Sequence, residues 1–272
     1  MLIDVANAQM VVFHEPKHGS SEQEWEDGAG HDPGDPRRGR AARCVVVDGA
    51  TEAYDAIRWV GQLVESFLGF DPAAGRPSLT PAAMDAWFGV MQERWVQNAP
   101  ATFATIYEER KFHDEGSFAT LLGCEITGLD GHRPRWEAVA LGDCVLFHVR
   151  GTRVVQQFPD LAPTDFGTSP DGVFTQPAAR DSMRARLDRA EGVLEIGDRL
   201  FLASDALAQW MAASSGNGSD RLWRQLGVLD HPGPFRKLVA RERGRGVLKN
   251  DDVTLLRVEI TASDPSRLVV CR

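Results

Sequence analysis

Three stretches of this chain place acids where an apolar run starts or stops, and a fourth sets them ahead of a Gly/Pro-rich segment. CVVVDG (44–49) ends an aliphatic run on Asp48, and LFLASDAL carries Asp205 out of a second run just before a helical pattern. KNDDVTLL sets Asp251 and Asp252 directly ahead of a third run, and EWEDG sets Glu26 and Asp27 before a Gly/Pro-rich stretch. A single acid in such a place is usually a turn former or a helix cap, and Asp205 is well placed to cap ALAQWM. As a group the acids carry more meaning. If the strand ends converge, several carboxylates share one pocket, where like charges raise each other's pKa and repel. A divalent cation relieves that repulsion. Carboxylates, a backbone carbonyl and water suit Mg²⁺ or Mn²⁺ better than zinc. Asp48 could then bridge two ions, with small Gly49 leaving its carbonyl open as a further ligand. A two-ion site lowers the pKa of a bridging water, and the resulting hydroxide can attack phosphorus in line.

Signatures of other chemistries are missing. The chain has no GxSxG, GxxxxGK[ST] or HExxH pattern, and no GxGxxG after a strand. His14 and His18 are four apart, but Pro16 between them breaks the regular helix that a His pair needs for zinc. His148 sits in an apolar run and reads as a satisfied core histidine. Cys44, Cys124, Cys144 and Cys271 show no CxxC spacing, and the first three lie in apolar runs as buried free thiols of a reducing, cytoplasmic setting.

The elements that must hold the acids are legible from periodicity. ARCVVVDG reads as a buried strand closed by Asp-Gly. A helix follows, with Thr51 as N-cap and Ile57, Val60, Val64, Phe67 and Leu68 as its apolar stripe. A second helix starts near Pro81 after Thr80 and carries Met84, Trp87, Phe88, Met91 and Trp95, whose tryptophans read as core. Strands are predicted near 117–127, 136–141, 144–149 and 152–158. LGDCV reads as a tight hairpin turning on Gly142-Asp143, and Gly197-Asp198 as a repeat of that device. Residues 28–40 read as a flexible loop, 159–180 as a long surface loop, and 178–190 as holding a short helix. Helical patterns follow Asp205, and a last strand covers 253–260. No linker divides the pattern, so the expectation is one domain over residues 1–272.

Composition excludes several classes. The 272 residues carry 43% hydrophobic side chains and a net charge of -9, which places the chain among globular proteins and argues against a phosphate backbone as main partner. No apolar run reaches the ~18 residues of a membrane span, and the N-terminus has no basic n-region, so neither a membrane nor a secretory signal is expected.

The order of the motifs resembles the type 2C, metal-dependent Ser/Thr protein phosphatase family, in particular its bacterial members. The matching pieces are EWEDG, CVVVDGAT, GSFATLLGCEI, WEAVALGDCVLFHVRG, DRLFLASDALAQW and NDDVTLLRVEI, in the family's order over about residues 14–260. The resemblance implies an α+β fold, a four-layer α-β-β-α sandwich of two antiparallel sheets flanked by helices. It implies two Mg²⁺ or Mn²⁺ ions, with a third in some members, and a phosphoprotein substrate made by a Ser/Thr kinase. Carried over residue by residue, Asp48 matches the bridging ligand and Gly49 the carbonyl ligand. Asp205 and Asp251 match acids of the first metal, and Asp143 an acid of the third. Glu26 and Asp27 match the pair that orders metal-bound waters.

The chain also departs from the family. Glu22 stands where the family usually has a phosphate-gripping Arg, and Lys17 or His18 are the nearby basic replacements. Ala50 replaces a His found in many members, Ala206 a Gly, and Asp252 an Asn. The leading expectation is a metal-dependent phosphatase acting on phosphoserine or phosphothreonine. Two others stand beside it: an inactive pseudophosphatase that binds a phosphoprotein or kinase, and a phosphoesterase for small molecules.

Overall fold

The computed structural model describes residues 6–72, 75–131, 133–167, 171–215 and 220–262. Its strands are β1 (Ala6–Glu15), β2 (Asp27–Asp32), β3 (Ala42–Gly49), β4 (Phe118–Thr127), β5 (Arg135–Leu141), β6 (Val145–Arg150), β7 (Arg153–Phe158), β8 (Val173–Phe174), β9 (Asp188–Val193), β10 (Asp198–Ala203) and β11 (Val253–Ala262). Its helices are α1 (Ala56–Leu68), α2 (Pro81–Gln97), α3 (Ile106–Arg110), α4 (Arg180–Arg186), α5 (Asp205–Ser214), α6 (Asp220–Gly227) and α7 (Pro232–Gly244). One antiparallel sheet runs β1-β11-β10-β6-β7. The other runs β2-β3-β4-β5-β9, with β8 added on β4.

The two sheets face each other, and helices cover both outer faces. Strand β3 shows why. Cys44 and Val46 point between the sheets, toward Leu200, Leu202, Leu256 and Val258. Val45 and Val47 point outward, against Trp59, Leu63 and Phe67 of α1 and Trp87, Met91 and Trp95 of α2. A strand buried on both faces has no polar side to show, so its sequence is a continuous aliphatic run. On the far side, α5, α6 and α7 bring Leu207, Met211, Trp223, Phe235 and Leu238 onto Phe13, Phe147, Phe201 and Leu255. The four-layer α-β-β-α sandwich is therefore the observed fold. Among the described residues no helix is long and apolar enough to cross a membrane.

Trp87 and Trp95 are core, and Cys44, Cys124 and Cys144 are buried free thiols. Cys271 lies outside the described residues. His148 is satisfied in the core, its Nε2 2.9 Å from Asp198 Oδ2.

Several expectations change. The segment read as a flexible loop contains β2, an edge strand of sequence DGAGHD. It lacks aliphatic residues because α1 lies across it: a Cβ on Gly28 would stand 2.3 Å from Val60 Cγ1. Neither Gly-Asp pair turns a hairpin. Gly142-Asp143 links β5 in one sheet to β6 in the other, and Gly197-Asp198 leads from β9 into β10, whose first residue is Asp198, again in different sheets. Strand β9 went unread because DRAEGV is a polar edge strand. Asp55, not Thr51, stands at the N-cap position of helix α1, and the buried stripe is Ala56, Trp59, Val60, Leu63, Phe67 and Leu68, with Ile57 exposed. Within the expected long loop, Val173–Phe174 pairs with β4, and residues 168–170 lie outside the described residues.

Candidate functional site

One end of the sandwich collects the acids. Strand β3 delivers Asp48 and Gly49, the β10–α5 junction Asp205, the β5–β6 crossover Asp143, and the α7–β11 loop Asp251. All five line a single cleft of ≈ 720 Å³. Because β5 and β6 belong to different sheets, the chain between them must cross the end of the sandwich, and this is what carries Asp143 to the cleft.

Behind the cleft, Asp27 faces Asp48 directly in the β2–β3 register. Asp27 Oδ2 accepts a hydrogen bond from Thr254 Oγ1 of the opposite sheet at 2.7 Å. Burial pushes the Asp27 carboxyl up to about 7 against the pull of Thr254 and Ser204, with the charges of Asp252 and Asp205 adding to the rise. Burial likewise holds Asp48 well above the ordinary carboxylate range, reinforced by Asp27, Asp205 and Asp143. Asp143 is raised to about 7 by burial and then by Asp205, with Lys249 pulling the other way. Both Asp143 carboxylate oxygens are buried and have no hydrogen-bond partner among the described residues. Asp251 is raised by burial and by Asp205.

Helix α5 starts at the cleft. Ser204 is its N-cap, so Asp205 is the first helical residue rather than the cap. The Asp205 amide donates to Asp48 Oδ2 at 3.3 Å, and the Ala206 amide donates to Asp205 Oδ1. A helix N-terminus favours negative charge, which partly offsets the crowding of acids. Gly49 is required by its surroundings: an added Cβ would stand 2.5 Å from the backbone oxygen of Glu26.

Glu26 and Lys17 do not line the cleft. Asp252 binds the loop that carries them, accepting from the Lys17 amide at 2.7 Å and the Glu26 amide at 2.8 Å. Lys17 Nζ lies 3.2 Å from Glu26 Oε2 and 3.4 Å from Thr51 Oγ1. Glu22 is bound by His14 Nε2 at 2.8 Å and by Arg236 at 2.8 Å. The His18 amide donates to Asn250 Oδ1 at 2.7 Å.

Sequence reading missed Lys249, the one basic side chain lining the cleft among the described residues, and the pair Phe118 and Phe174 on its wall, with ring centroids 4.5 Å apart. Lysine two positions before Asp251 is visible in KNDD, but no pattern marks it. The aromatic pair arises only from the β4–β8 pairing.

Among the described residues, no group of three or more His, Cys, Asp or Glu is set closely enough to hold a metal ion as it stands. The donor chemistry nevertheless fits a hard divalent ion: the cleft offers the carboxylates of Asp48, Asp205, Asp251 and an unpartnered Asp143, and no thiolate or imidazole.

No protein-family model matches the chain, and no curated protein matches it. Solved structures do. A bacterial serine phosphatase superimposes with a TM-score of 0.62 at 13% identity, covering 94% of this chain and 99% of that one. The catalytic domain of the serine/threonine phosphatase PstP, in complex with two manganese ions, gives 0.59 at 14% identity, with 94% and 99% covered. PppA, a regulatory component of the type VI secretion system in Pseudomonas aeruginosa, gives 0.54 at 18% identity over 94% and 99%. At these identities the likeness is one of fold. This chain has the sandwich fold of bacterial type 2C Ser/Thr phosphatases over nearly its whole length.

Proposed function

We propose that this protein is a Mg²⁺- or Mn²⁺-dependent phosphatase that hydrolyses phosphoserine or phosphothreonine on proteins phosphorylated by a Ser/Thr kinase. The observation that carries the reading is the meeting of Asp48, Asp143, Asp205 and Asp251, brought from both sheets, around one cleft of a fold shared with serine phosphatases.

Asp48, the Gly49 carbonyl, Asp205 and Asp251 would hold two ions, and Asp143 a third. Bound there, such ions supply acidified water and neutralise phosphoryl charge. The chain's own groups do the rest. Asp27, held by Thr254 and opposite Asp48 in the β2–β3 register, sets a further carboxyl group behind the ligand acids. Glu26, paired with Lys17 next to Thr51 of the cleft lining, would supply a second acid to order water. The helix α5 amides orient Asp205 and Asp48. The Phe118–Phe174 wall offers an apolar face to residues beside the phosphorylated side chain.

The test is hydrolysis of p-nitrophenyl phosphate and of a phosphothreonine peptide with Mn²⁺. Wild type turns over both, and Asp48→Asn and Asp205→Asn each lose about 10²-fold or more in kcat, the scale set by removal of a main electrostatic group. Activity that survives both substitutions overturns the reading.

Glu22 favours a second reading, a pseudophosphatase that binds a phosphoprotein or kinase without turnover. An acid paired to Arg236 stands where the resembling family grips phosphate. Mn²⁺ binding by calorimetry without any phosphopeptide turnover would select this second reading.

A further inference from the structure

The basic side chains around the cleft differ in one respect: whether an acid or a carbonyl already occupies them. Lys17 is tied to Glu26 and Thr51. Arg236 is tied to Glu15 at 3.0 Å and Glu22 at 2.8 Å, in a groove between α7 and the β1–β2 loop. Arg243 donates to the Pro16 and Asp251 carbonyls. Lys249 lines the acidic cleft and has no hydrogen bond or ion pair to any described residue.

Its backbone, by contrast, is anchored on both sides. Leu248 is buried in the core, and its amide donates to the Glu242 carbonyl at 3.3 Å. Asn250 accepts from the His18 amide at 2.7 Å. Arg243 holds the following Asp251 carbonyl. A lysine with a fixed base and an unoccupied ammonium loses little on binding an anion, because only its own side chain has to be ordered. An ammonium beside a phosphoryl oxygen forms a short, charge-assisted hydrogen bond and acts as a point charge without demanding the two-pronged geometry of arginine.

We propose that Lys249, from within the cleft, grips the phosphoryl group of the substrate. The inference rests on the phosphatase reading above and assigns the phosphate subsite of that same cleft. The ligand class is a phosphomonoester dianion, with inorganic phosphate as its product. Lys249 approaches from the α7–β11 loop, on the Asp251 side of the cleft. Its position there gives a phosphate oxygen a partner among side chains that are otherwise acidic, hydroxyl-bearing or apolar.

The experiment uses the full chain loaded with Mn²⁺ and compares wild type, Lys249→Gln and Lys249→Arg. Three quantities are read: KM and kcat for p-nitrophenyl phosphate, inorganic phosphate affinity by calorimetry, and the Mn²⁺-induced shift in melting temperature. Lys249→Gln is expected to raise KM and weaken phosphate binding about tenfold, equivalent to about 1.4 kcal/mol. Its kcat should change less than about threefold, and its Mn²⁺ shift should match wild type, showing that the fold and the ion site are intact. Lys249→Arg should restore most of the phosphate affinity.

Unchanged KM and phosphate affinity in Lys249→Gln would overturn the inference while leaving the phosphatase reading standing. A loss confined to kcat, with phosphate affinity unchanged, would overturn it equally. If wild type shows no turnover, that reading falls, and the calorimetric comparison still decides whether Lys249 binds phosphate. Absence of phosphate binding in wild type would overturn the assignment to Lys249, while turnover alone decides the phosphatase reading.

Discussion

Asp27 and Asp48 stand opposite each other on adjacent antiparallel strands, two carboxylates in one cross-strand pair. Like charges directly opposite destabilise a sheet. Here Asp27 is held by Thr254 from the other sheet, and Asp48 receives the Asp205 amide. The pair gives up stability to concentrate negative charge, and its removal has a definite sign. Asp48→Asn should raise the metal-free stability at pH 8 by about 1 kcal/mol, measured by urea unfolding. In the same variant the stabilisation by Mn²⁺, about 2.7 kcal/mol in wild type at ~100 times the dissociation constant, should disappear. A variant less stable than wild type without metal would contradict this account of the pair.

Asp252 makes a second prediction. Its two carboxylate oxygens take the Lys17 and Glu26 amides separately, and so bind the β1–β2 loop to the start of β11. An amide side chain has one acceptor oxygen, where an ionised carboxylate has two. Asp252→Asn should therefore lose one of these bonds and cost about 1–2 kcal/mol in urea unfolding. Faster hydrogen exchange at the Lys17 or Glu26 amide should accompany the loss, and unchanged exchange at both would rule out the clasp.

Away from the cleft, Asp198 lies in the core with His148 at 2.9 Å and Arg150 Nε at 2.8 Å. Burial alone would raise its pKa, but the hydrogen bonds from Arg150 and His148 prevail and hold it below the ordinary value of 3.8. A folded-state value below the unfolded one means that Asp198 stabilises fully above that ordinary value, and the contribution drains away as pH falls through the depressed one. Asp198→Asn should cost about 2 kcal/mol at pH 7. The gap to wild type should narrow once the pH drops below that of a normal aspartate, and a gap independent of pH would show that the charge is not what matters.

Gly49 is confined by the Glu26 carbonyl, which an added Cβ would meet at 2.5 Å. The obstacle is backbone, so β2 and β3 would have to separate. Gly49→Ala should cost about 1–3 kcal/mol. It should also weaken Mn²⁺ binding, read by calorimetry, because the strand that moves carries Asp48. A fully stable Gly49→Ala with wild-type Mn²⁺ affinity would show that the close approach is not required.

Much of this molecule was legible in its residues. The aliphatic run before Asp48, the helical stripes of α1 and α2, and the acids flanking β3, β10 and β11 are local patterns, because a strand buried on both faces must be apolar throughout and a packed helix must repeat every three to four residues. Long-range pairing decided the rest. The two Gly-Asp pairs look like hairpin turns, yet each crosses between sheets, since the sheet a strand joins depends on partners far away in the chain. Strand β2 looks like a loop because its glycines answer to α1, which packs across it from outside the segment. Lys249 differs from any surface lysine only in where the α7–β11 loop ends up. Periodicity records the faces an element must bury, whereas the meeting of distant side chains in one cleft depends on register and packing, which no local stretch of residues encodes.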